Sequence, residues 1–144
     1  MTMKTFKGNL TDGEQDTIHL TGGDADTGYK IKTFEIISSV PMAAAAEAVV
    51  KIYLVSQSTA TATVDFSDDT LIGVATYSET DSLNYPLTQV IIFDNETFNQ
   101  DIYVTYKSAS TTTAGMNYFI ELEEVKLSNS EAAVVNYKAA LLHG

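Results

Sequence analysis

Apolar and polar side chains alternate along most of this chain, most clearly over residues 117–127. There Tyr118, Ile120 and Leu122 fall on one side of an extended backbone and Phe119, Glu121 and Glu123 on the other, which predicts a strand with one dry and one mostly wet face. The same period of two predicts strands over residues 30–38, 48–56, 70–78, 87–93 and 100–107. In 48–56, Val50, Ile52 and Leu54 alternate with Val49, Lys51, Tyr53 and Val55, hydrophobicity continuous enough for a central strand. In 30–38, Phe34 and Ile36 share one face and Ile31 and Ile37 the other. In 70–78, Gly73 marks a bulge or a close neighbour. Two shorter stretches, 5–10 and 17–20, flank the turn formers of residues 11–14 and read as a hairpin or an arm within residues 1–28. Residues 59–64 read as a weak edge strand or an extended loop, and 39–47, with Pro41 and four alanines, as a connecting loop.

The pattern changes after Leu127. Ser128 and Glu131 have capping-box spacing, in which the Ser128 hydroxyl accepts from the Glu131 amide and the Glu131 carboxylate accepts from the Ser128 amide. A helix over 128–143 follows, with Val134, Tyr137 and Leu141 as an apolar stripe that needs a partner and Val135 and Leu142 beside it. Lys138 and His143 near its end suit the helix dipole.

Seven to eight strands separated by polar turns, with one helix at the end, predict an all-β chain: an antiparallel β-sandwich or jelly roll. The whole of 1–144 reads as one domain, a length that buries roughly 70% of the surface an unfolded chain exposes.

Charge then narrows the partners. The chain carries a net charge of -11, and all eight basic residues are lysines. Without arginine, and with acids in excess, direct binding to nucleic acid is disfavoured. An acidic surface keeps a protein soluble and suits salty surroundings, where repulsion is screened. With no cysteine in the sequence, disulfides and thiolate metal sites are excluded. No stretch reaches the length of a membrane span, and the N-terminus lacks the apolar core of a signal peptide, so synthesis in a cytoplasm is expected. The glycosylation patterns at Asn9 and Asn95 would count only in a secretory pathway.

Local chemistry is sparse. His19 and His143 have no second ligand or nucleophile at a recognisable spacing. Asp24, Asp26 and Gly28 resemble the start of a calcium loop without its later ligands, so an acidic turn without metal is the expectation. Asp65, Asp68, Asp69, Glu121 and Glu123 are the acids that folding would have to pair for glycoside hydrolysis. Tyr53, Tyr77 and Tyr103, if aligned and exposed, would form a row for stacking on sugar rings or for a protein interface.

Three stretches carry a resemblance: residues 69–75 (Asp-Thr-Leu-Ile-Gly-Val-Ala), 101–104 (Asp-Ile-Tyr-Val) and above all 117–127, followed by Ser130-Glu-Ala132. They resemble small virion structural proteins of tailed, particularly marine, bacteriophages, proteins that decorate or accompany the capsid. The resemblance covers about half the chain, from Asp69 to the last helix, and its motifs are structural, so no catalytic, cofactor or metal residue is carried over. It implies a non-enzymatic protein without a cofactor, located on the capsid surface of the virion and synthesised in the host cytoplasm. Its partners would be the major capsid protein and further copies of itself, as a homo-oligomer such as a trimer, with no nucleic acid or membrane. The alternatives are a tail, neck or fibre component and a carbohydrate-binding β-sandwich module.

Overall fold

The protein was analysed as a computed structural model that describes residues 2–20, 26–41, 46–79, 87–93, 95–109 and 114–143. Its elements are β1 (Met3–Leu10), β2 (Gln15–Ile18), β3 (Thr27–Ser38), β4 (Ala46–Tyr53), β5 (Leu71–Glu79), β6 (Leu87–Ile92), β7 (Ile102–Ser108), β8 (Met116–Lys126) and α1 (Asn129–His143). They form two antiparallel sheets, β1-β8-β3 and β2-β7-β4-β5-β6, facing each other as a β-sandwich. The strand order is that of a jelly roll in which β6 stays on β5 instead of crossing to lie beside β3. Five strands therefore face three.

β8 is the middle strand of the smaller sheet, paired along its length with β1 on one side and β3 on the other. Its expected dry face is dry: Met116, Tyr118, Ile120 and Leu122 are all buried. Ile120, opposite both Phe6 and Phe34, sits among the residues that close the core between the sheets. From the larger sheet, Val50, Ile52, Ile102, Val104, Ala75 and Tyr77 meet them. Burial of this apolar area is the main favourable term in the fold.

Two predicted details give way to backbone effects. The segments at 5–10 and 17–20 do not pair as a hairpin, nor do they form a free arm: β1 pairs with β8 and β2 with β7, so the turn at residues 11–14 carries the chain from one sheet to the other. In β3 the register slips between Ile31 and Thr33, a bulge that reverses the facing of everything before it. Ile31 is consequently buried with Phe34 and Ile36, while Ile37 is left outside at 49% exposure. Gly73 lies beside a register slip in the β4–β5 pairing, whereas a Cβ there would make only ordinary contact, 3.4 Å from Ile52 Cδ1. Residues 59–64 are loop. Of the stretch 39–47 expected as a loop, Ala46 and Glu47 belong to β4, and residues 42–45 lie outside the described residues.

Candidate functional site

The loop of residues 54–70 lies over the outer face of the larger sheet and is held there by Lys51. That lysine is 1% exposed, and its Nζ donates to Thr61 Oγ1 (2.9 Å) and the Thr63 carbonyl (2.6 Å). Burial pulls its pKa below the ordinary lysine value, with Asp68 opposing. Tyr53 lies under the same ammonium, 5.4 Å from the ring centre, and is itself buried. Tyr103 is paired with Tyr53 across the sheet and is half-buried, whereas Tyr77 belongs to the core at 1% exposure. The expected tyrosine row is thus not formed: two rings share the outer face and the third points inward.

The five candidate acids divide between opposite faces. Asp65 accepts from the amide and hydroxyl of Ser67, which holds its carboxyl below the usual range, and Asp68 accepts in the same way from Thr70. Asp69 is exposed in the same loop. On the outer face of the smaller sheet, Glu121 accepts from Thr33 Oγ1 (3.0 Å) and Glu123 pairs with Lys32 (3.3 Å). Each acid with a named contact has a local partner, the arrangement of turn caps and a solvated strand face.

His19 is a surface residue, its side chain 78% exposed and 3.3 Å from Asp101, and the side chain of His143 lies outside the described residues. Asp24 lies outside them as well. Asp26 pairs with Lys126 at 3.5 Å, and Gly28 is not a loop glycine but a buried position in β3, where a Cβ would meet Thr97 at 2.8 Å. Among the described residues no three His, Cys, Asp or Glu side chains are grouped to hold a metal ion.

A polar tie joins the sheets near one end. Tyr118 lies across Gly8, where any Cβ would come within 2.6 Å of its hydroxyl oxygen, and so reaches Asp16 on β2, donating to Oδ2 at 2.9 Å. Burial first, then the Asp16 hydrogen bond and charge, push the Tyr118 phenol well above its ordinary pKa. Asn9 holds the adjacent end of β1, donating to Ser39 Oγ (2.7 Å) and Asn117 Oδ1 (2.9 Å).

Among the described residues two surfaces stand open for binding. The first is an open groove of about 1060 Å³ that runs from the outer face of the smaller sheet, where Lys7, Phe119 and Glu35 lie side by side, past β3 to Thr88 and Val90 on β6. The second is α1. Its capping box forms as expected, with Ser128 N–H to Glu131 Oε1 at 3.1 Å and Glu131 N–H to Ser128 Oγ at 3.2 Å. The helix packs, however, by the neighbours of its expected stripe: Val135, Ala139 and Leu142 face Leu54, Phe98 and Gln100 at one end of the sandwich. Lys138 pairs with Glu96, and Asn99 donates to Asn136. Val134, Tyr137 and Leu141 point away, each 67% exposed.

Which surface that stripe meets was left open by the sequence, because the apolar residues of α1 are spread around its circumference and mark no single face. The exposure of β6 runs against its composition, since residues 87–93 contain no charged side chain and would ordinarily be buried. No protein-family model, curated protein or solved structure matches this chain.

Proposed function

We propose that this protein is a non-enzymatic virion component, a capsid decoration protein that lies on the outer shell and stabilises it. The observation that carries the reading is the outer face of α1, where Val134, Tyr137 and Leu141 stand two-thirds exposed on a helix anchored by its other side. Exposed apolar side chains at this spacing suit docking into a groove on a partner surface. The resemblance of residues 69–75, 101–104 and 117–127 to tailed-phage virion proteins supports the choice of partner, the major capsid protein. Many copies bound to the closed shell, and not to free subunits, strengthen the assembled state by mass action.

Proteomics and copy counting on purified particles test this. The expected result is the protein in intact particles at a copy number matching the shell lattice. A few copies per particle would instead indicate a tail, neck or fibre component, and presence only in infected-cell lysate would remove the virion reading. Combined Val134→Ala, Tyr137→Ala and Leu141→Ala substitution keeps good helix formers in place and is expected to abolish co-sedimentation with shells.

A carbohydrate-binding reading is favoured by one observation, the groove in which exposed Phe119 is flanked by Lys7, Glu35 and Asn117. A glycan array, repeated with Phe119→Ala, decides it: hits lost in the variant support a sugar site, and no hits remove it.

A further inference from the structure

The four edge strands differ in how they are protected against pairing with another chain. β1 carries Lys4 and Lys7, and β2 is only four residues long and carries Asp16. β3 has Lys30, Lys32, Glu35 and a bulge, and its first part is covered by a bridge between Tyr29 and Phe98. These are the devices by which proteins blunt sheet edges. Among the described residues, β6 has none of them. Its six residues, Leu-Thr-Gln-Val-Ile-Ile, include no charge and no proline, its register with β5 is unbroken, and Leu87 and Val90 are 55% and 38% exposed.

The hydrogen-bond phase of β6 identifies which backbone groups are open. Phe93 N–H donates to the Ile72 carbonyl at 3.1 Å, so the hydrogen-bonded positions toward β5 are those in phase with Phe93, namely Ile91, Gln89 and Leu87. The N–H and C=O groups of Thr88, Val90 and Ile92 therefore point away from β5, along the free edge. Their side chains share the inner face of the sheet with Ala75 and Tyr77. An antiparallel copy of the same strand related by a two-fold axis through Val90 satisfies both requirements at once. Val90 then lies opposite Val90 of the second copy and Thr88 opposite Ile92, each as a hydrogen-bonded pair with inner faces on the same side.

Charge favours the same place. Two chains of net charge -11 repel over most approaches, but β6 is uncharged, and the groove beside it is lined by two lysines and one glutamate. We infer that β6 is the contact surface for a second copy of this chain, pairing β6 to β6 in an isologous two-fold dimer with one sheet continuous through both copies. This contact does not depend on the shell-binding reading, because it uses a different face from α1.

The test uses the full chain. Sedimentation velocity at about 100 μM is expected to show a monomer–dimer equilibrium that shifts toward dimer as salt is raised from about 0.02 to 0.5 M, since screening removes acid–acid repulsion. Val90→Pro removes a free-edge donor without touching the β5 ladder and is expected to be monomeric with an unchanged far-ultraviolet circular dichroism spectrum. If that variant does not fold, Val90→Lys and Val90→Cys carry the test. Lysine at the edge is expected to give monomer. A hydrogen-bonded pair sets the two Val90 Cα atoms about 5.5 Å apart, within disulfide reach, so Val90→Cys is expected to oxidise to a covalent dimer much faster than a Thr59→Cys control. A monomer at every concentration and salt, a closed trimer, Val90→Lys that still dimerises, or crosslinking no faster at position 90 than at 59 would each overturn the assignment.

Discussion

β8 and α1 follow one another in the chain and are both rich in apolar residues, yet the structure uses them in opposite ways. On β8, Tyr118, Ile120 and Leu122 are at most 6% exposed, whereas on α1 Val134, Tyr137 and Leu141 are each 67% exposed. The difference lies in the neighbours. β8 has a strand on each side and a second sheet across its inner face, so every apolar side chain on that face has somewhere to go. Among the described residues α1 packs on one end of the sandwich through Val135, Ala139 and Leu142, with Lys138 paired to Glu96 and Asn136 accepting from Asn99, while Val134, Tyr137 and Leu141 are left outward. The apolar pattern of β8 makes the fold, and that of α1 is available to a partner.

The contrast can be broken most forcefully at Ile120, which is fully buried. Ile120→Ala is expected to cost about 2–5 kcal/mol in urea unfolding, because it leaves a cavity between the sheets. Next comes Tyr118→Phe, which deprives the Asp16 carboxylate of its donor and is expected to cost about 1.5–3 kcal/mol, the range for hydrogen bonds to charged groups. The same variant carries a pH signature. Burial and Asp16 raise the Tyr118 pKa, so the native state keeps a proton that the unfolded chain releases near pH ~10. That contribution is complete below ~10 and is lost as pH climbs toward the native value, so alkaline melting curves of Tyr118→Phe are expected to fall less steeply than those of the parent. Tyr53, Tyr77 and Tyr106 are raised by burial in the same direction and keep part of the slope in the variant.

On the helix the effects are smaller. Ser128→Ala removes half of the capping box and is expected to cost about 1 kcal/mol of helix stability, read as faster amide exchange in the first turn of α1. Leu141→Ala, at a position two-thirds exposed in the free protein, is expected to move stability by no more than ~0.5 kcal/mol.

Period and spacing made much of the architecture legible. The strands at 30–38, 70–78 and 117–127 and the Ser128–Glu131 cap follow from alternation and local hydrogen bonding, which are properties of the chain itself. What escaped depended on long-range geometry. The bulge at Lys32 turns Ile31 inward and leaves Ile37 out, an effect that strict alternation across 30–38 hides. The separation of β1 from β2 is a matter of which sheet each strand joins, and two strands joined by a turn look the same in sequence whether or not they pair. Tyr53, Tyr77 and Tyr103 were separated by sheet facing and by the loop that Lys51 draws over the larger sheet. The face that α1 presents was hidden because valine, alanine and leucine occur all around it.

Hydrogen exchange measured residue by residue, on the free protein and on the protein bound to purified shells, is the most direct test of the division between β8 and α1. The expected result is that β8 amides are protected to the level of global unfolding in both states, while α1 amides exchange by local opening when free and slow markedly when bound. Shells that leave α1 exchange unchanged, or that protect the strands while the helix stays open, would contradict it.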